Sequence, residues 1–187
     1  MTRERLTPAG RRILDVAAEL FYRQGIHAVG VEGIAAEAGV TKKTLYACFG
    51  SKDNLVTAYL EQRDERWREW VLRWLDEHGG SAAEQVLGTF DALAEWIDRG
   101  DFRGCGFVNA LAEIPDAEHP ARAIITAQQE WVREHFARLA EAADAPDPAD
   151  FAKTALLLYE GVTVSASMDV TDAARQARKA AEVLLKT

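Results

Sequence analysis

The sequence predicts an all-α protein in two parts: a small N-terminal three-helix head built around a helix-turn-helix, and a larger C-terminal helical domain. Two observations carry this expectation. Apolar residues recur at threes and fours along almost the whole chain, interrupted by Gly and Pro punctuation and never by the alternation of a strand. Charge is also split unevenly. The 187 residues carry a net charge of −8. Residues 1–55 hold eight Lys or Arg against six acids, a balance of +2, and residues 56–187 hold fourteen against twenty-four, a balance of −10. An acidic chain with one weakly basic end keeps phosphate-compatible charge at that end only. The domain boundary is therefore placed at 55/56.

The first helix opens at Thr7-Pro8, a capping residue followed by a first-turn proline. It carries Ile13, Val16, Ala17, Leu20 and Phe21 on one stripe before Gly25 closes it. Ahead of it lies a short basic arm with Arg3 and Arg5. Ile34, Ala35 and Ala38 then mark a second helix. Gly39 supplies the positive φ of a helix end, Val40 plugs the corner, and Thr41 stands at the N-cap of a third helix with Leu45 and Phe49 inward. The opening turns of that third helix offer Lys42, Lys43, Thr44 and Tyr46, groups suited to base edges and phosphates in a major groove. Ser51 caps the next helix at Lys52, whose ammonium is expected on a phosphate beside free backbone N–H groups. Spacing alone leaves two readings open, since Lys42-Lys43 also fits a solvated face and a glycine corner also joins helices in proteins that never meet DNA.

From Lys52 a long helix continues toward Glu77 with Val56, Leu60, Trp67, Trp70, Val71 and Trp74 at helical spacing, long enough to run from the head into the second domain. Three tryptophans within eight residues provide a broad aromatic surface, read first as packing and second as the lining of a ligand cavity. Later helices are expected at Ser81–Arg99, Phe107–Ile114, about Pro120–Ala143, Phe151–Met168 and Thr171–Leu185. The last two carry apolar or small residues on more than one face, among them Leu157, Val164, Ala180 and Val183. A helix apolar on several sides needs cover on several sides, which predicts a symmetry mate and a four-helix dimer interface.

Other functional classes find little support. The opening MTRERLTPAGRRILDVA is charged and amphipathic, unlike a secretory signal, and the run Ala155–Tyr159 is far short of a membrane span, so a cytoplasmic location is expected. Cys48 and Cys105 match no metal spacing; Cys48 is read as packing, whereas Cys105, flanked by glycines near a helix start, has the setting of a more acidic thiol. His27, His78, His119 and His135 are scattered and no nucleophile, phosphate-loop or dinucleotide motif accompanies them, which argues against an enzyme; no cofactor or metal is expected. A helical adaptor that binds no DNA remains the alternative.

Residues 7 to 60 resemble the N-terminal domain of the TetR/AcrR family of transcriptional regulators. The resemblance rests on Ile34-Ala35, Ala38-Gly39-Val40, Thr44-Leu45-Tyr46 and Phe49-Gly50-Ser51-Lys52, four motifs in register. One departure is Cys48, where the family often carries His or Tyr, and no phosphate contact is assigned to it. The segment RGCGFVNALAEIPDAEHPAR, residues 103–122, is similar to a stretch of some AcrR-like C-terminal domains. The resemblance implies a dimeric regulator, usually a repressor, that reads a palindromic operator with half-sites ~34 Å or a multiple apart and leaves it when a small-molecule effector binds. Lys42, Lys43 and Thr44 are then expected near base edges, and Thr41, Tyr46 and Lys52 on phosphates. Trp70, Trp74, Phe90, Trp96, Phe107, Asn109, Trp131 and Tyr159 are candidates to line the effector cavity, with Asn109 and Glu113 as its polar groups.

Overall fold

Nine α-helices and no strands make up the described residues, 6–100 and 102–186, of the computed structural model: α1 (Pro8–Gln24), α2 (Val31–Glu37), α3 (Lys42–Phe49), α4 (Lys52–His78), α5 (Ala82–Ile97), α6 (Gly106–Glu113), α7 (Ala121–Ala142), α8 (Pro148–Ala166) and α9 (Ala173–Leu184). The basic arm with Arg3 and Arg5 lies outside the described residues. None of these helices is long and apolar enough to cross a membrane.

The chain forms two compact units. Among the described residues, the first comprises 6–66 and 106–126, the second 67–105 (without 101) and 127–186. Against a division at 55/56, the start of α4, all of α6 and the first residues of α7 pack with the head. Local pattern cannot reveal this, because Glu113 of α6 meets His27 across a sequence separation of 86 residues.

In the first unit, Thr7 caps α1 by accepting from the Gly10 N–H at 3.1 Å, as the Thr-Pro pair predicts. The buried stripe of α1 is Gly10, Ile13, Leu14, Ala17 and Phe21, while Val16 and Leu20 are half-buried. The stripe is thus rotated toward Leu14 relative to expectation, because α2 and α3 both pack on this helix. Ile34, Leu45, Leu55, Val56 and Leu60 fill the centre.

The second unit closes around Val71, Val86, Phe90, Leu93, Phe136, Ala155 and Ala181. Ser81 and Glu84 form a capping box at the start of α5, with Glu84 Oε2 accepting from the Ser81 N–H at 2.7 Å. α9 packs on α5 and α8, and Arg178 Nε reaches Asp91 Oδ2 at 3.0 Å. The tryptophans are mainly packing: Trp67 meets Trp96 edge-on at 5.5 Å, Phe90 stacks on Phe136 at 5.3 Å, and Trp74 lies flat on His78 at 3.7 Å.

His135 sits inside this core. Its Nε2 is 3.1 Å from Thr89 Oγ1, whose own proton goes to Gln85 O at 3.0 Å, so Nε2 carries the imidazole proton and donates it. Nδ1 is left to accept from Arg138 Nη2 at 3.3 Å. Burial, reinforced by the Arg138 charge, pushes the imidazole down to about 4.

Candidate nucleic-acid interface

The helix-turn-helix is built by backbone hydrogen bonds around one glycine. At the end of α2 the Ala38 N–H bonds Ile34 O, the Gly39 N–H bonds Ala36 O at 3.1 Å, and the Val40 N–H bonds Ala35 O at 2.9 Å. Gly39 has φ 62°, and no atom lies within 4 Å of where its Cβ would stand. Backbone conformation, not crowding, therefore demands glycine here. Val40, expected to plug the corner, is only half-buried; Ala38 takes the buried position.

Thr41 caps α3, its Oγ1 accepting from the Thr44 N–H at 3.1 Å and lying 2.9 Å from Thr44 Oγ1. Both hydroxyls are thereby engaged in holding the first turn. Leu45 and Phe49, four apart, are buried and anchor one side of α3, so Lys42, Lys43, Tyr46 and Ala47 are carried to the exposed side. Tyr46 is 40% exposed, a large ring facing solvent on a helix of eight residues. Cys48 lies half-buried with its Sγ 4.0 Å from Thr7 Oγ1, a packing position against the start of α1.

The three lysines occupy different states. Lys43 is exposed and has no partner among the described residues. Lys42 is exposed but ion-paired with Glu32 of α2. Hydrogen bonding to Glu32 holds the Lys42 ammonium above its ordinary range, and Lys42 in turn holds the Glu32 carboxyl below its own. Lys52, expected on a phosphate, turns inward: Nζ donates to Ile26 O at 2.6 Å and stands 5.9 Å from the centre of the Phe21 ring. Ser51 still performs its expected task, accepting from the Asn54 N–H at 3.0 Å, and Asn54 Nδ2 returns to Phe49 O at 2.9 Å. Sequence reasoning missed the Glu32 restraint and the Asn54 link; the first joins residues ten apart across a corner, where no helical spacing applies.

The residues proposed for an effector cavity divide between the units. Phe107, Asn109 and Glu113 belong to the first unit, Phe107 buried and Asn109 exposed. Trp70, Trp74, Phe90, Trp96, Trp131 and Tyr159 belong to the second. Phe90, Trp74 and Tyr159 are core, whereas Trp70, Trp96 and Trp131 are half-buried; Trp70 Nε1 donates to Ala92 O at 3.0 Å, and the Arg99 guanidinium lies 3.8 Å from the Trp70 ring.

A capped short helix, set by a glycine corner and presenting lysines and a tyrosine outward, has the build of the second helix of a helix-turn-helix. Comparison with known proteins gives the same class and narrows it. Residues 13–59 match the family described as "Bacterial regulatory proteins, tetR family". The crystal structure of SCO4454, a TetR-family transcriptional regulator from Streptomyces coelicolor, superimposes with a TM-score of 0.87 at 32% identity, covering 95% of this chain and 94% of that one. The HTH-type transcriptional regulator YjdC of Escherichia coli K12 is 27% identical over 152 residues, 80% of this chain and 78% of its own. The HTH-type transcriptional repressor KstR2 of Rhodococcus jostii is 38% identical over 91 residues, 46% of this chain and 44% of its own. The chain belongs to the TetR family of DNA-binding transcriptional regulators, whose members are not enzymes.

Proposed function

We propose that the protein is a cytoplasmic homodimeric repressor that reads a palindromic operator through α3 and leaves it when a small molecule occupies the second unit. The outward face of α3 carries this reading. Lys43 and Tyr46 are available as they stand, Lys42 becomes available when Glu32 releases it, and Thr41 and Thr44 hold the helix opening that must approach the groove. Lys52 acts in this reading through the corner it fastens.

Two features support the dimer and the effector. Leu157 and Val164 on α8 and Val183 on α9 are 73%, 45% and 64% exposed, and Met168 in the turn after α8 is 64% exposed, an apolar surface that a second copy would cover. In the second unit the half-buried rings of Trp70, Trp96 and Trp131 offer aromatic contact without dismantling the core. A ligand favouring one conformer by ~1 to 3 kcal/mol would release DNA 5- to 150-fold. The repressor mode follows the family's usual habit, and among the relatives KstR2 is named a repressor.

The test is a gel-shift titration against duplex fragments that the purified protein retains from its own genome, repeated across salt concentrations. Wild type should form a palindrome-specific complex whose affinity falls steeply with salt, and Lys43→Ala should bind at least several-fold more weakly. Leu157→Glu should sediment as a monomer and lose the complex. A salt-insensitive or sequence-blind complex, or full binding by a monomeric Leu157→Glu, would overturn the proposal.

A further inference from the structure

The short corner Gly25–His27, which follows α1 and leads through residues 28–30 into α2, is gripped from both sides. On its N–H side stands Glu113, the last residue of α6. Its Oε2 accepts from the His27 N–H at 2.7 Å, and the Ile26 N–H is also directed to the same carboxylate. On its carbonyl side stands Lys52, the first residue of α4, donating to Ile26 O at 2.6 Å. Gly25 has φ 91°, and a Cβ placed there would come within 3.1 Å of Glu113 Oε1, so the corner is bare where the carboxylate sits. Burial alone would push the Glu113 carboxyl up, yet the His27 and Ile26 N–H groups outweigh it and hold the group below its ordinary range. The His27 ring adds only a longer contact, Nδ1 to Oε2 at 3.5 Å. A carboxylate that takes a short bond from a backbone donor at a helix exit fixes backbone direction far more than an exposed ion pair does.

We infer that Glu113 is a positioning residue for DNA binding: its carboxylate, with Lys52 opposite, fixes the corner that feeds α2 and so ties the register of α6 to the aim of the reading helix. The inference rests on the assignment of α3 as the DNA-contacting helix and moves Glu113 from the effector cavity to the head. It also explains why α6, distant in sequence, belongs to the same compact unit as α1 to α3. A cleft of about 190 Å³ borders the carboxylate, lined by Ile26, Val56, Ile114 and His119 among others. Water can enter it when the carboxylate is removed, so the corner loosens without an unsatisfied buried group unfolding the head.

The experiment compares wild type, Glu113→Ala, Glu113→Gln and His27→Ala by amide hydrogen exchange of the free full-length protein and by affinity for a duplex fragment that the wild type retains from genomic DNA. Glu113→Ala should speed exchange of the 25–30 segment at least tenfold and weaken DNA about tenfold with an unchanged salt slope, because the phosphate contacts persist and only their alignment is lost. Glu113→Gln, which keeps one acceptor, should fall between; His27→Ala, which keeps the N–H, should match wild type. Exchange and affinity of Glu113→Ala within twofold of wild type would overturn the inference. So would faster exchange with unchanged affinity, which marks a merely structural contact, or a changed salt slope, which marks a direct phosphate effect. A wild type that binds no duplex sinks the DNA reading itself, and is distinguished by appearing before any substitution is made.

Discussion

Protonation of one core histidine should make the stability of the second unit fall as pH falls. His135 has an ordinary value near 6.5 when unfolded and is pushed down to about 4 when folded. The sign follows from proton binding: between these values the unfolded chain is protonated and the folded one is not, so stability is full above about 6.5, drops through the window, and levels off below about 4. The complete loss is about 3 kcal/mol, and at pH 5 it is about 2 kcal/mol, from ~1.4 kcal/mol per unit. Protonation would place a second N–H on Nδ1, against the Arg138 guanidinium that now donates to it and is its hydrogen-bond partner among the described residues. Urea unfolding followed by tryptophan fluorescence isolates the effect, because all five tryptophans lie in the second unit. Wild type is to be compared with His135→Gln at pH 7.5, 6 and 5. The variant loses the stacking on Trp131, 5.1 Å away, and starts lower, but its curve should be flatter by about 2 kcal/mol between pH 7.5 and 5. Glu160, raised by burial, acts in the opposite sense, yet it is present in both proteins and cancels in the difference. Parallel curves for the two proteins would refute the reasoning.

The head makes three further outcomes measurable. Glu32→Gln removes the charge that holds Lys42 and should strengthen operator binding while steepening its salt dependence by about one unit of slope; an unchanged slope would show that Lys42 never reaches the duplex. Thr41→Ala removes the α3 cap and should cost about 1 kcal/mol in urea unfolding of the first unit, read by amide exchange of residues 42–45. Gly39→Val forces a β-branched residue to φ 62° and should destabilise the head by 1 kcal/mol or more, whereas Gly33→Ala, in open space within α2, should leave it unchanged or slightly better.

How far local pattern reaches is visible in α3. Leu45 and Phe49 are four apart, Thr41 is a capping residue before them, and Gly39 precedes both; these are short-range facts, so the helix, its cap, its buried side and its exposed side were all legible in order along the chain. The same holds for the Thr7-Pro8 and Ser81 starts and for the apolar faces of α8 and α9. Legibility ended where one segment needed another to define it. Lys42 and Lys52 look alike as residues, yet one is exposed beside Glu32 and the other is folded onto Ile26 O, because their partners come from α2 and from the corner after α1.

By itself, then, the sequence determined the helical class and the helix-turn-helix with its glycine corner, since both depend on propensity, capping and spacing within a few turns, and its four motifs in register carried the resemblance to the family. Only the tertiary structure decided that α6 joins the head, that Glu113 grips the His27 N–H, and that His135 is sealed in a neutral state. Those outcomes depend on which distant groups meet and on how much water they keep, quantities that no local pattern encodes.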